Sequence, residues 1–220
     1  MTKVDQSLNV SLTMNSFDLS FSYPRGPSFL FPDIDLRAKE VLLILGHSGV
    51  GKTTLLHILA GLRKPTSGTV NINGTNLIEL SGSKADNFRG KNIGIIHQQS
   101  VFIRSINVLQ NLLLAQTLVE ISADESAALK LLSDLKIGHR ASALPKELSV
   151  GERQRASIAR ALITQPKIVL ADEPTSALDD ENCERVANLL EETVLGSGAS
   201  LIIVTHDHRL KNRFANRIEL

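Results

Sequence analysis

The octapeptide GHSGVGKT, Gly46 to Thr53, constrains this chain more than any other segment. It follows a short apolar run, Glu40 to Leu45, and opens a helical one, KTTLLHILAGL. In that helix Leu55, Leu59 and Leu62 are expected on one face, with Gly61 as the stop. A GxxxxGK[ST] turn between strand and helix lets backbone N–H groups converge on phosphate oxygens. Gly46, Gly49 and Gly51 free the backbone to curl inward, and His47, Ser48, Val50 and Thr54 complete the expected nucleotide-binding set. Lys52 places a compact positive charge on β and γ phosphates, and the Thr53 hydroxyl can enter a magnesium shell. The expected ligand is a nucleoside triphosphate with its metal.

Strand and helix patterns alternate, so the expected fold class is α/β with a mostly parallel sheet covered by helices. Lys167 to Ala171 and Ser200 to Thr205 read as two further buried strands, separated by a helix from about Asp180 to Leu195 and the breaker GSGAS. The N-terminal LNVSLTMNSFDLSFSY alternates, and TVNINGTNL carries an Asn-Gly turn, so both predict antiparallel elements beside the parallel core. Between about Ser100 and Arg160 the pattern is helical, in VLQNLLLAQTLV and in SADESAALKLLSDLKIG. The second helix is expected to open on a Ser122 to Glu125 capping box and close at Gly138. The chain is thus expected to be a single domain, with a core at about 1–97 and 161–220 and a helical subdomain at about 98–160.

IVLADEPT, Ile168 to Thr175, sets carboxylates at the carboxyl end of an apolar strand, where ligands bind in open α/β sheets. Neighbouring strand residues face opposite ways, so the two acids should differ in role. Asp172 is assigned to magnesium, and Glu173 to the attacking water as general base, with Pro174 expected to hold Glu173 extended. LSVGERQR opens a helix reaching about Ile163, capped by Ser149 and Glu152. Gly151 at its second position is poor for helix stability yet lets an anion approach the exposed N–H groups, a second phosphate-binding element.

With 24 basic and 23 acidic side chains the net charge is +1, which gives no general electrostatic case for nucleic acid. No apolar run approaches the roughly 20 residues of a spanning helix, and MTKVDQSLNVSLTMNS lacks the core of a secretory leader. The single Cys183, in ENCER, is expected on a polar helix face, and the scattered histidines suggest no zinc site.

Taken in order, these segments resemble the motifs of ATP-binding cassette (ABC) ATPases along essentially the whole chain. GHSGVGKT resembles the Walker A loop, LSVGE the ABC signature, IVLADEPT the Walker B strand, SALD (Ser176 to Asp179) the D-loop and VTHD the switch-histidine segment. Two letters depart from the usual pattern: Val150 replaces the first signature glycine, and His97 replaces an aromatic before the glutamine. The resemblance implies a P-loop ATPase fold. It further implies that Gln98 ligates magnesium and follows the helical subdomain, that Tyr23 stacks on adenine, and that His206 contacts the γ phosphate. Lys52, Gln98, Glu173 and His206 form the implied catalytic set, with magnesium held by Thr53, Gln98 and Asp172.

The resemblance also implies a homodimer. Ser149, Val150, Gly151 and Glu152 of one chain would meet ATP on the phosphate loop of the other, beside Asp179 of the D-loop. A separate transmembrane permease would receive the motion, on the cytoplasmic face of the inner membrane. NFRGKNIGIIHQQ and VTHDHRLKNRFANRIEL look most similar to the lipoprotein-releasing and macrolide-exporting subgroup, which adds a periplasmic adaptor as a partner and excludes nucleic acid. A non-transport ABC ATPase of DNA repair or translation is the alternative.

Overall fold

The computed structural model describes residues 12–176 and 178–220. The expectations that fall on residues 1–11 and on Ala177 of SALD lie outside them.

The first half of the chain runs β1 (Leu12–Ser22), β2 (Ser28–Leu30), β3 (Ile34–Arg37), β4 (Val41–Leu45), α1 (Lys52–Leu59), β5 (Ser67–Ile72), β6 (Thr75–Asn76), α2 (Gly82–Asn92) and β7 (Ile93–Ile96). There follow α3 (Val108–Leu118), α4 (Glu125–Asp134), α5 (Val150–Leu162), β8 (Ile168–Asp172), α6 (Asp180–Gly196), β9 (Ser200–Thr205) and β10 (Arg217–Glu219). One sheet is wholly parallel, in the order β10, β4, β9, β8, β7. The other is antiparallel, in the order β2, β1, β5, β6, with β3 also on β1.

Alternation along the parallel strands divides the core in two. Leu43, Leu45, Val169, Ala171, Leu201 and Ile203 face the cluster shared with α3 to α6. Leu42, Ile44, Ile168, Leu170, Ile202 and Val204 face α1 and the antiparallel sheet. Strands buried on both faces read as unbroken apolar runs, which is why VLLIL and SLIIVT carry no polar alternation. The expected Asn-Gly turn joins β5 to β6 with Asn73 and Gly74 both at positive φ, the form whose twist suits a two-residue hairpin.

Four local expectations are corrected. Helix α4 is capped by Asp124, whose carboxylate accepts the Ala127 N–H at 2.9 Å, and not by Ser122. The side chain of Gln116 accepts the Asp124 N–H at 2.9 Å and so fixes the entry there. The same helix closes before Gly138: Lys136 takes the left-handed turn (φ 60°), since Ile137 must fold back into the core. Leu62 lies past the end of α1 and is 48% exposed, so of the three leucines Leu55 and Leu59 are buried, together with Leu56 and Ile58. Cys183 is 1% exposed, inside the α3–α6 cluster and within 3.5 Å of an Asp207 oxygen, not on a polar face.

Candidate active site

The parallel register brings four loops to one edge. Leu45 pairs with Thr205, Asp172 with Val204 and Ile96 with Ala171, so the segments that follow β4, β7, β8 and β9 emerge together. That edge is the carboxyl end of the strands, beside the reversal of strand order where open α/β sheets bind ligands.

The first loop is the glycine turn. Gly51 caps α1 at φ 98°, and a Cβ there would stand 2.8 Å from the Phe29 ring, so both backbone shape and packing require glycine. Lys52 is buried, and its Nζ donates to the carbonyls of Gly46 at 2.8 Å and His47 at 3.0 Å. The ammonium also lies 3.6 Å from Oε1 of Glu173. Thr54 is buried and within 3.0 Å of the Tyr23 hydroxyl, which ties that aromatic to the helix carrying the lysine. Thr53 is exposed.

Asp172 and Glu173 end β8 in different environments. One oxygen of Asp172, Oδ1, is buried with no hydrogen-bond partner among the described residues. Burial, and secondarily the neighbouring Glu173 carboxylate, push the Asp172 carboxyl above its ordinary range. Glu173 is well partnered: Thr205 donates to its Oε2 at 2.7 Å, the His206 N–H to the same oxygen at 3.2 Å, and His206 Nδ1 lies 2.9 Å from Oε1. Burial alone would raise it, but the hydrogen bonds from His206 and Thr205 outweigh burial and hold it below the usual value.

Glu173 is not extended, as the following proline suggested, but sits at φ 49°. Its N–H continues the ladder onto Val204 O at 2.8 Å, while three donors draw its carboxylate toward the end of β9, and the chain turns sharply between the two demands. A non-glycine residue in that region is strained, and such strain concentrates at functional sites.

A cavity of about 440 Å³ gathers Tyr23, Ser48, Gly49, Gly51, Lys52, Thr53 and Thr54 with Gln98, Glu173 and His206. Gly46 and His47 lie beneath, as the carbonyls that Lys52 binds, and the Val50 side chain packs on Gly46. Gln98 Nε2 is 3.3 Å from the Ser176 hydroxyl, so the loop after β7 touches the turn after Glu173.

The segment Ser149 to Glu152 does not line this cavity. Ser149 caps α5: its N–H donates to Glu152 Oε2 at 2.8 Å and its hydroxyl accepts the Glu152 N–H at 3.3 Å. Arg140 donates to Glu152 at 2.7 Å, which with the capping bonds lowers that carboxyl to about 2. Val150 is 72% exposed, and nothing lies within 4 Å of a Cβ built on Gly151. Packing inside the chain therefore explains neither residue. Asp179 likewise faces solvent, as the cap of α6.

Several contributors carried no sequence signal of their own. Thr205 donates to Glu173 across 32 positions, Phe29 packs on Gly51, and Arg63 lies over the Tyr23 ring at 5.2 Å. Gln154, on α5, donates to Pro174 O at 2.9 Å and links the helix of LSVGE to the Glu173 turn.

The family profile described as ABC transporter matches residues 32–176. The lipoprotein-releasing system ATP-binding protein LolD of Hydrogenovibrio crunogenus is 40% identical over 190 residues, 86% of this chain and 83% of that protein. LolD of Shewanella denitrificans is 42% identical over 190 residues, 82% and 78% of the two chains. Among solved structures, the dimeric post-hydrolysis state of the ATP-binding cassette MJ0796 bound to ADP and Pi superposes with TM-score 0.80 at 30% identity, covering 94% of each chain. The cbiO1 protein of Clostridium perfringens, part of the ABC transporter complex cbiONQ, gives TM-score 0.78 at 27% identity over 89% and 79% of the chains. The chain belongs to the ABC transporter family, as an ATP-hydrolysing subunit.

Proposed function

We propose that the chain drives a lipoprotein-releasing type of ABC exporter, as a homodimer on the cytoplasmic face of the inner membrane. The observation that carries this reading is the 40% identity to a lipoprotein-releasing ATP-binding protein over 86% of the chain. No helix among the described residues is long and apolar enough to cross a membrane. The motion is assigned to a separate transmembrane permease. A periplasmic adaptor is assigned as a further partner of that permease.

Within the cavity, Lys52 exchanges the Gly46 and His47 carbonyls for β and γ phosphate oxygens, and Tyr23 stacks on the adenine. The orphaned Asp172 oxygen, with the Thr53 hydroxyl and the Gln98 amide, forms an all-oxygen donor set suited to magnesium. When bound, the ion offsets the charge of the β and γ phosphates. Glu173 takes a proton from water as the water oxygen bonds to the γ phosphorus. The bond from that phosphorus to the β,γ-bridging oxygen breaks, and ADP carries away the electron pair. His206 holds the γ oxygens through a ring N–H. A neutral imidazole donates from one nitrogen only, so His206 either releases Glu173 Oε1 or carries a second proton when it does so.

The exposed Ser149 and Gly151 contact ATP held on the partner's phosphate loop, which gives the solvent-facing glycine a role. Val150 presents its N–H beside them, Glu152 fixes the cap and Asp179 lies at the same seam. The test is recovery from detergent-solubilised inner membranes. The expected result is a membrane protein that co-purifies with the chain and raises its ATP turnover in the presence of an acylated protein. Co-purification with ribosomes or DNA instead would support the non-transport alternative.

A further inference from the structure

Arg209 was given no role in the segments described above, yet its guanidinium joins two parts of the chain beside the site. Nε donates to Asp207 Oδ1 and Nη2 to Asp207 Oδ2, both at 2.8 Å, a two-pronged pair on the residue after His206. Nη1 donates to Asp180 Oδ1 at 2.8 Å, and Nη2 reaches the carbonyls of Leu178 at 3.1 Å and Thr175 at 3.4 Å. One side chain thus holds Thr175, Leu178 and Asp180, which follow Glu173 and flank the Asp179 cap, against the loop that follows β9.

The contact continues inward. Asp207 is buried, and its N–H donates to the Thr205 hydroxyl at 3.0 Å. That hydroxyl in turn donates to Glu173 Oε2 at 2.7 Å. The Thr175 hydroxyl closes the ring by donating to Asp207 Oδ2 at 2.8 Å. The path from Arg209 to the carboxylate is a run of hydrogen bonds through Asp207 and Thr205.

We propose that Arg209 is a positioning residue, which locks the loop after Glu173 to the loop carrying His206 so that base and γ-phosphate donor keep one geometry during turnover. This rests on the roles given above to Glu173 and His206. The guanidinium is about a third exposed but Asp207 is buried, so its loss also lowers stability, and the positioning role is read from kcat well below the melting range of every variant. Lysine cannot replace the fork, since one ammonium does not span Asp207 and Asp180 in the same plane.

The test compares Arg209→Gln, Arg209→Lys, Asp180→Asn and Glu173→Gln in the full chain, alone and in its membrane complex. Steady-state kcat and KM, equilibrium ATP binding and thermal midpoint are read together. Arg209→Gln is expected to lose at least about tenfold in kcat, the scale of a modest misplacement of reacting groups. ATP affinity is expected to stay within about threefold. Arg209→Lys recovers part of the loss, and Asp180→Asn, which removes the charge of the outer arm but keeps an acceptor oxygen, reproduces a smaller part of it. An Arg209→Gln kcat within about twofold of wild type overturns the proposal. So does a kcat loss matched by an equal loss of ATP binding and a collapsed thermal midpoint, the signature of a merely structural clip. If Glu173→Gln itself turns over at the wild-type rate, the fault lies in the assignment of the base and not in Arg209.

Discussion

His206 Nδ1 lies 2.9 Å from Oε1 of Glu173, while the hydroxyl of Thr205 and the N–H of His206 both reach Oε2 of the same carboxylate. The carboxylate is therefore held below its ordinary pKa, a weak base in this arrangement. Loss of the His206 bond, when that ring turns to a γ phosphate, would raise its basicity at the moment a proton must be taken.

Lys52→Ala removes the donor that two loop carbonyls share in a buried site. Charged hydrogen bonds of this kind are worth about 1.5–3 kcal/mol. ATP affinity measured by equilibrium dialysis should fall at least about tenfold, since 1.4 kcal/mol is one decade. Unchanged affinity would reject the role given to the ammonium.

Asp172→Asn removes a charge whose buried oxygen has no partner among the described residues. A carboxyl with a raised folded pKa costs nothing in acid, where both states are protonated. The cost develops as pH rises past the unfolded value and is full above the folded one. The nucleotide-free variant should therefore melt about 2 °C higher than wild type near neutral pH and match it in acid, while losing magnesium-dependent hydrolysis. A lower midpoint at neutral pH would contradict the unpartnered oxygen.

Tyr23 is the single tyrosine of a chain without tryptophan, so tyrosine emission reports on one ring. Phe21 meets that ring edge to face at 4.8 Å, and Arg63 lies over it at 5.2 Å. Stacking of a base on an aromatic is worth about 1–3 kcal/mol. ATP should quench the emission, inorganic triphosphate should not, and Tyr23→Ala should weaken ATP binding about tenfold. Equal quenching by both ligands would place the base elsewhere.

What the sequence made legible was local. The phosphate loop, the Ser149 cap and the ends of β4, β8 and β9 are contiguous runs whose period and turn residues name their structure. Contacts across the sheet had no such trace: Thr205 lies 32 positions from Glu173, and Arg209 lies 29 from Asp180. Helix α2 was missed because none of its residues is fully buried, so no apolar period marks it. The expectation of an extended Glu173 failed because a local proline rule was overridden by donors at the end of β9. At α4 the expected cap was Ser122, but Asp124 takes that place, where the tertiary contact from Gln116 fixes the entry.

The central claim is that two chains hold ATP at a shared seam and that Glu173 ends this state by activating water. Glu173→Gln with ATP and magnesium, followed by sedimentation and nucleotide analysis of the sedimenting species, tests it most directly. The account predicts a stable dimer carrying two ATP molecules, with turnover at least about a hundredfold below wild type. A monomer at saturating ATP, or a dimer that holds ADP and continues to release phosphate, would contradict it.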